Sequence, residues 1–339
     1  MLSPTFRRIR GYGLPKSCTF VSEMELMTRI DIPVSEWKIE AGAKVLLVGS
    51  CFADEIGEKM KRGGFEAMVN PFGTLYNPAS IAASLLRSIS EKEVALPRME
   101  QSGASCTSEP TSSTSVDRCR RGRSTDVDDV VFEDASGVWH SWMHHSSFSS
   151  PDVGTLVERI NGVTHRVADF LRQADVLIVT LGTAIIYRMK ESGMLVANCH
   201  KQPDSLFVRE RMNTYDIVDQ WQMLLQLLES VNPKLKVIFT VSPIRHKRDG
   251  YHVNQLSKGV LLQAVDEMGV EYFPSYEIMM DELRDYRFYA DDMIHPSEKA
   301  VEYIWRRFQD TYMDNKTRDA VAKTTKEWAR RQHRQIVDS

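Results

Sequence analysis

From Trp37 onward, short continuous apolar runs alternate with longer stretches in which apolar residues recur at helical spacing. Runs of the first kind are strands buried on both faces, and their alternation with amphipathic helices marks a parallel α/β sheet. Residues 44–48 (KVLLV) predict the first strand. Residues 52–62 predict a helix with Ala53, Ile56 and Met60 on one face, stopped at Gly63-Gly64. A short strand over 67–70 and a helix over 81–89 follow. Residues 130–132 and 138–143, joined through residues 134–137, read as a hairpin. Ser150-Pro151-Asp152 then caps a helix whose stripe is Leu156, Ile160, Val163, Val167 and Leu171. Residues 175–181 form the strongest buried strand, and a second hairpin turns at Glu191-Ser192-Gly193. A helix over 215–231, a strand over 236–241, a helix over 256–268 and a strand over 270–273 complete the alternation. The last packed helix starts at Pro296 and carries Val301, Ile304, Trp305 and Phe308.

This makes about five strands, each followed by a helix, in one domain spanning 28–312. Residues 101–129 break the pattern: they are rich in Ser and Thr and hold a basic knot, Arg118 to Arg123. They read as a disordered insertion, because the α/β pattern resumes afterwards in the same style. Residues 1–27 read as a flexible tail. Residues 313–339 read as a basic, solvated helical tail. No internal repeat appears.

Composition narrows the function class. Forty-three Lys and Arg against 46 Asp and Glu leave a formal charge of −3, too balanced for a protein that coats nucleic acid or an anionic membrane. The basic knot alone offers too few phosphate contacts. With 42% hydrophobic and 26% charged residues the chain is globular. No run approaches the roughly 18 apolar residues of a membrane span; the best, 176–187, is interrupted by Thr180, Gly182 and Thr183. Five scattered cysteines without CxxC spacing argue against a disulfide framework or zinc ribbon and fit a reducing compartment. The N-terminus lacks an apolar secretory stretch, so the expected location is cytoplasmic. Nothing calls for a cofactor, and oligomeric state is open.

In open parallel sheets, chemistry sits at the C-terminal ends of the strands. Those ends carry Gly49-Ser50-Cys51, Asn70 to Thr74, Gly182-Thr183-Ala184, and Ser242 to His246, with Asp292 and His295 before the final helix. A nucleophile at Ser50 or Cys51 would stand at a helix N-terminus, where amides and the dipole stabilise a thiolate or an oxyanion. Asp292, three residues before His295, suits a carboxylate that fixes an imidazole base.

The run Val48 to Ala53 (VGSCFA) resembles the motif that names the GSCFA family, a group placed in the SGNH (GDSL-like) hydrolase superfamily. Asn70 to Pro78, Leu181 to Ala184, Ala197 to Lys201, Ser242 to His246 and Asp292 to Ser297 are similar to it too, so the resemblance runs from Ile30 to Tyr312 without the insertion. It implies a three-layer α/β/α sandwich with a mostly parallel, flavodoxin-like sheet, and an ester-hydrolase lineage. In the superfamily's G-D-S register the nucleophile falls on Cys51 and Ser50 takes the place of the Asp; a turn shifted by one would present Ser50 instead. The oxyanion donors implied are the amides of Cys51 and Gly73. The usual third-block Asn is absent at Ala184, and Asn198 is the candidate replacement. Asp292 and His295 match the last block without adjustment.

The expected function is therefore hydrolysis of an acyl ester, of a small molecule or a carbohydrate, through a covalent acyl-enzyme. An O-acyltransferase and an inactive carbohydrate-binding module are the alternatives; the missing Asn keeps the last one open. His140, Trp142 and His144 alternate along one strand face, with His145 beside them; His200, a further substrate-binding candidate, falls with Asn198 in the Ala197 to Lys201 segment of the resemblance. Without a matching carboxylate or thiolate they read as a cleft wall, Trp142 stacking on a sugar ring, rather than a metal site. Arg245 and His246 stand where they would grip a carboxylate or phosphate. Cys51, if catalytic, is expected to have a depressed thiol pKa, and Ser50 to serve as a helix cap.

Overall fold

The computed structural model describes residues 27–95 and 130–337. The proposed insertion, 101–129, and nearly all of the N-terminal tail lie outside the described residues. The chain runs β1 (Lys44–Gly49), α1 (Cys51–Arg62), β2 (Glu66–Val69), α2 (Pro78–Ile89), β3 (Val131–Glu133), β4 (Trp139–Ser141), α3 (Val153–Leu171) and β5 (Val176–Leu181). It continues through β6 (Ile185–Met189), β7 (Leu195–Val196), β8 (Phe207–Arg211), α4 (Thr214–Val231), β9 (Lys236–Val241), α5 (Tyr251–Met268) and β10 (Glu271–Phe273). One turn, α6 (Ser275–Glu277), leads to the last two helices, α7 (Glu298–Tyr312) and α8 (Asn315–Val337).

Five strands form one sheet in the order β10-β9-β5-β1-β2, and every adjacent pair is parallel. Counting only these strands, this is the 2-1-3-4-5 order of flavodoxin-like sheets. Alternation along each strand sends side chains to two separate cores. Leu46 and Val48 of β1, with Leu177, Val179 and Leu181 of β5, pack against α2, α3, α4 and α5. Val45 and Leu47, with Val176 and Ile178, pack against α1 and α7. The fold is a three-layer α/β/α sandwich. Its strand order reverses between β1 and β5, so a crevice opens above that junction.

Two antiparallel pieces stand outside the sheet: the β3–β4 hairpin, and β6 flanked by β7 and β8. The second was expected as a two-stranded hairpin. Its third strand, β8 (FVRER), buries only Phe207 and exposes the rest, as an edge strand does, and so carries no core pattern.

Helix starts also differ from expectation, because polar caps outrank the first apolar residue. Asn77 caps α2 with its side chain on Ser80 N–H, so the helix starts at Pro78, three residues upstream of Ile81. Ser297, not Pro296, is the N-cap of α7. α5 begins at Tyr251, five residues before Leu256, without a side-chain cap: Gly250, with φ of +81°, turns the chain into it.

The C-terminal helix is more than a solvated tail. Val321 is 3% exposed and belongs to the core beneath α1, and Thr317 is buried. The Arg62 guanidinium lies 4.5 Å over the Trp328 ring. Replacing Val321 with Asp should therefore cost about 2 kcal/mol or more, since a carboxylate would be forced into apolar surroundings. An unfolding free energy from urea titration lowered by less than about 0.5 kcal/mol, the ordinary surface value, would restore the solvated reading.

Candidate active site

The site begins where β1 leaves the sheet. Gly49 has φ of +134°, and a Cβ there would sit 2.1 Å from the Thr180 carbonyl oxygen of β5. No side chain fits that approach. Gly49 N–H donates to Asn70 Oδ1 (2.9 Å), and Ser50 N–H donates to Thr180 O (3.0 Å). The chain then turns into α1 with Ser50 at the N-cap and Cys51 as the first helical residue.

Ser50 and Cys51 consequently face different surroundings. Ser50 is fully buried, and its hydroxyl finds no partner and caps no amide. Cys51 is half-buried, with Sγ 3.7 Å from His295 Nε2. Behind the ring, His295 Nδ1 lies 2.5 Å from Asp292 Oδ2. With Nδ1–H donated to the carboxylate, Nε2 is a bare acceptor aimed at the thiol. Asp292 Oδ1 accepts the amides of Ile294 and His295, each at 2.9 Å. The His295 amide, then its ring, then the Ile294 amide hold the Asp292 carboxyl at about 2.

Burial and the neighbouring Asp54 carboxylate push the Cys51 thiol up to about 11, against the expected depression. Helix-terminal position alone does not make a thiolate here, because desolvation and the acidic first turn oppose it. The Cys51 thiol therefore rests protonated, facing Nε2 of His295.

Beneath lies Lys258, fully buried in α5, donating to Gly182 O and Ser242 O, both at 2.7 Å. These carbonyls end β5 and β9, so the lysine staples two strand ends together. Burial pulls it down to about 7, and its charge lowers the Cys51 pKa. A neutral amine has two N–H groups for the two carbonyls; an ammonium has one to spare.

Several other expected site residues are committed elsewhere. Gly73 N–H donates to Asn70 O (2.8 Å) within a turn, so it is not a free oxyanion donor. Gly73 is required for another reason: a Cβ there would meet His145 Cβ at 2.1 Å. Asn198 donates from Nδ2 to Ser146 Oγ (3.2 Å) and accepts from His200 N–H (2.9 Å), tying its own loop. Trp142 is 6% exposed and its ring stacks on Phe132 at 3.6 Å, so neither that ring nor its face is offered to a sugar. His144 is 2% exposed, bonded to Ser141 Oγ at 2.8 Å and held by burial at about 3. His140 lies between Ser149 Oγ (2.6 Å) and Asp134 Oδ2 (2.9 Å), and His200 Nε2 donates to Ser141 O (2.7 Å). These residues make an aromatic mini-core rather than a cleft wall; the strand ends at Ser141, and the expected alternation ends with it. Among the described residues no group of three or more His, Cys, Asp or Glu gathers as metal ligands would.

Arg245 and His246 are in the neighbourhood with other duties. Arg245 donates to the Met293 carbonyl, and its own N–H donates to Ile294 O (3.3 Å), gripping the segment between Asp292 and His295. His246 packs edge-on to Tyr76 (5.6 Å) and is held by burial, then by Lys258, at about 4.

Four residues join the site that sequence reasoning passed over as site residues: Asp54, Asn70, Tyr76 and Lys258. Asn70, with φ of +40°, takes Gly49 N–H on Oδ1 and gives Nδ2–H to Asp54 (2.9 Å). The Tyr76 carbonyl accepts from Gly182 N–H (2.8 Å) and Thr183 N–H (2.9 Å). A signal for Lys258 exists: Asn254, Ser257 and Lys258 occupy the same stripe as Leu261, Ala264 and Val265, so that helix buries polar groups at its site end.

An all-parallel α/β sandwich with a cysteine, a histidine and an aspartate aligned at its strand-order reversal defines the class of protein. The GSCFA family model matches residues 44–308, and the chain belongs to the GSCFA family. No curated protein matches the sequence. Among solved structures, an acetyl xylan esterase (Est2A) from the rumen bacterium Butyrivibrio proteoclasticus is similar at 17% identity over 40% of this chain, with a TM-score of 0.24. The match spans 36% of that esterase's own length, a likeness that supports no transfer of chemistry.

The buried lysine has a measurable consequence. A lysine whose folded value, about 7, lies below its ordinary 10.5 binds its proton more readily once unfolded, so its contribution to stability grows as pH rises through that window. Comparing wild type with Lys258→Met in urea, the difference in unfolding free energy should shift in favour of wild type from pH 7 to pH 9, the Cys51 thiol being common to both proteins. A difference that stays flat would show that Lys258 is not titrating there.

Proposed function

We propose that the protein is an acyl-ester hydrolase that works through a thioester on Cys51. The observation that carries this reading is the alignment of Cys51 Sγ, 3.7 Å from His295 Nε2, with Asp292 2.5 Å behind the ring. In the first half-reaction Sγ attacks the ester carbonyl carbon while Nε2 takes the thiol proton. Asp292 stabilises the imidazolium and keeps the tautomer. Negative charge on the carbonyl oxygen meets the Cys51 N–H, the first amide of α1, which has no intrahelical acceptor. The alcohol leaves with the proton from Nε2. In the second half-reaction Nε2 takes a proton from water, the hydroxide oxygen attacks the thioester, and the acid departs as the thiol is restored.

Because the thiol rests protonated, proton transfer accompanies attack, as it does for a serine. Lys258 lies under the same site, and its charge offsets part of the cost of the transient thiolate. Arg245 serves by holding the Asp292–His295 segment. Among the described residues Cys51 and Cys199 carry free thiols, which fits the reducing, cytoplasmic compartment expected of the chain. Among the described residues no helix is long and apolar enough to cross a membrane.

With p-nitrophenyl acetate as substrate, Cys51→Ala should abolish turnover and Asp292→Asn should lower it by about 10⁴, the loss found when a triad loses its tautomer. Ser50→Ala should keep kcat/KM within about threefold and cost no cap, since its hydroxyl makes none. Activity that survives Cys51→Ala and vanishes in Ser50→Ala would overturn the assignment.

Alkylation by iodoacetamide reads the thiol directly. The rate at Cys51 should still be climbing through pH 9 toward the thiol's value of about 11. A plateau reached below pH 8 would mean a standing thiolate.

A further inference from the structure

Beside the Asp292–His295 segment, three tyrosines gather around one guanidinium. Arg245 Cζ lies 4.5 Å from the Tyr289 ring centroid, 5.2 Å from Tyr251 and 5.8 Å from Tyr286. The Tyr286 and Tyr289 rings are 5.8 Å apart at 43°. Two of the three are far from buried: Tyr286 is 66% exposed and Tyr251 50%. The cluster is fastened to the base, since Arg245 bonds the Met293 and Ile294 carbonyls and Tyr289 bridges to Pro296, the neighbour of His295.

Exposed aromatic rings cost solubility and, when clustered, mark a binding surface. Stacking on Arg245 orders these rings before any ligand arrives, which removes much of the entropic cost of binding. The chemistry of the patch selects its occupant. A cation is excluded, because Arg245 already places a positive charge against the rings. A long acyl chain wants a continuous apolar groove, whereas this rim carries phenolic hydroxyls, the Asp285–Arg287 ion pair and exposed Asp291. Flat aromatic faces bordered by hydrogen-bonding groups suit a pyranose ring, which has an apolar face and a polar edge.

We propose that Tyr286 and Tyr251 form a stacking platform for the sugar ring of a saccharide ester, so that the alcohol released at Cys51 is a carbohydrate hydroxyl. The platform takes the role expected of Trp142. The proposal rests on the hydrolase reading for its turnover arm and stands apart from it in its binding arm.

The test compares p-nitrophenyl acetate with O-acetylated hexasaccharides of β-1,4-linked glucose, β-1,4-linked xylose and α-1,4-linked glucose. In the Tyr251→Ala/Tyr286→Ala double variant, the ratio of kcat/KM for the best saccharide ester to that for p-nitrophenyl acetate should fall by about tenfold or more. The corresponding double Phe variant, which keeps the rings, should recover most of it. In the binding arm, the unacetylated hexasaccharides are titrated calorimetrically into Cys51→Ala protein with and without the tyrosine pair. Binding lost with the pair supports the platform even if no ester is turned over, in which case the hydrolase reading alone fails. An unchanged ratio together with saccharide binding that is absent or indifferent to the pair overturns the proposal. So does a double variant that alters preference between p-nitrophenyl acetate and p-nitrophenyl octanoate while the saccharide ratio stays fixed, since the platform would then belong to the acyl side.

Discussion

Gly49 presses its backbone so closely on β5 that a Cβ would lie 2.1 Å from Thr180 O, and the geometry of the whole site follows from that contact. It lets the chain leave β1 with a φ of +134° and still give Ser50 N–H to the same carbonyl. The turn that results points Ser50 inward, where its hydroxyl is orphaned, and starts α1 at Cys51. Because β1 and β5 flank the reversal of strand order, the cysteine emerges in the crevice that this topology always leaves open. Asn70 reinforces the arrangement from β2, holding Gly49 with one end of its amide and Asp54 with the other.

The electrostatics of the crevice oppose a resting thiolate. Asp54 and burial raise the thiol, and the single buried cation, Lys258 among the described residues beneath it, is itself poorly charged at about 7. On the proposed reading, a thiol in such a place reacts when a base removes its proton during attack, with His295 and Asp292 acting as that base. The resulting chemistry is closer to a serine hydrolase than to a cysteine enzyme with a preformed ion pair. Arg245 adds the mechanical part: it fixes the backbone on both sides of the aspartate-to-histidine step, and three tyrosines fix Arg245.

Much of this was legible in the chain. Continuous runs such as residues 44–48 and 176–181 could only be doubly buried strands, and the parallel sandwich followed from their alternation with helices. Asp292 and His295 were legible because a carboxylate three residues before an imidazole at a helix start has few other uses. Cys51 against Ser50 was only half legible: register favours Cys51, a turn shifted by one would present Ser50, and the exit angle of β1 is what separates them. The aromatic mini-core misled for a physical reason: His140, Trp142 and His144 alternate like a strand face, but the strand ends at Ser141, the rings of His140 and Trp142 fold inward onto Phe132 and His200, and that of His144 turns to Phe148. Lys258 was hidden because a lysine in a helix normally reaches water, and only its place among Leu261, Ala264 and Val265 betrays burial. Arg245 was seen as a ligand grip, because a sequence does not say that a carbonyl of the neighbouring loop will fill it.

The central claim is that the acyl group passes through the sulfur of Cys51. Acid-quenching the protein during turnover of p-nitrophenyl acetate, followed by peptide mass mapping, tests it most directly. The account predicts one acetyl group on the peptide that begins α1, localised to Cys51 by fragmentation and removed by neutral hydroxylamine, as a thioester is. An acetyl group on Ser50 that resists neutral hydroxylamine, or turnover that persists with Cys51 blocked by alkylation, would contradict it.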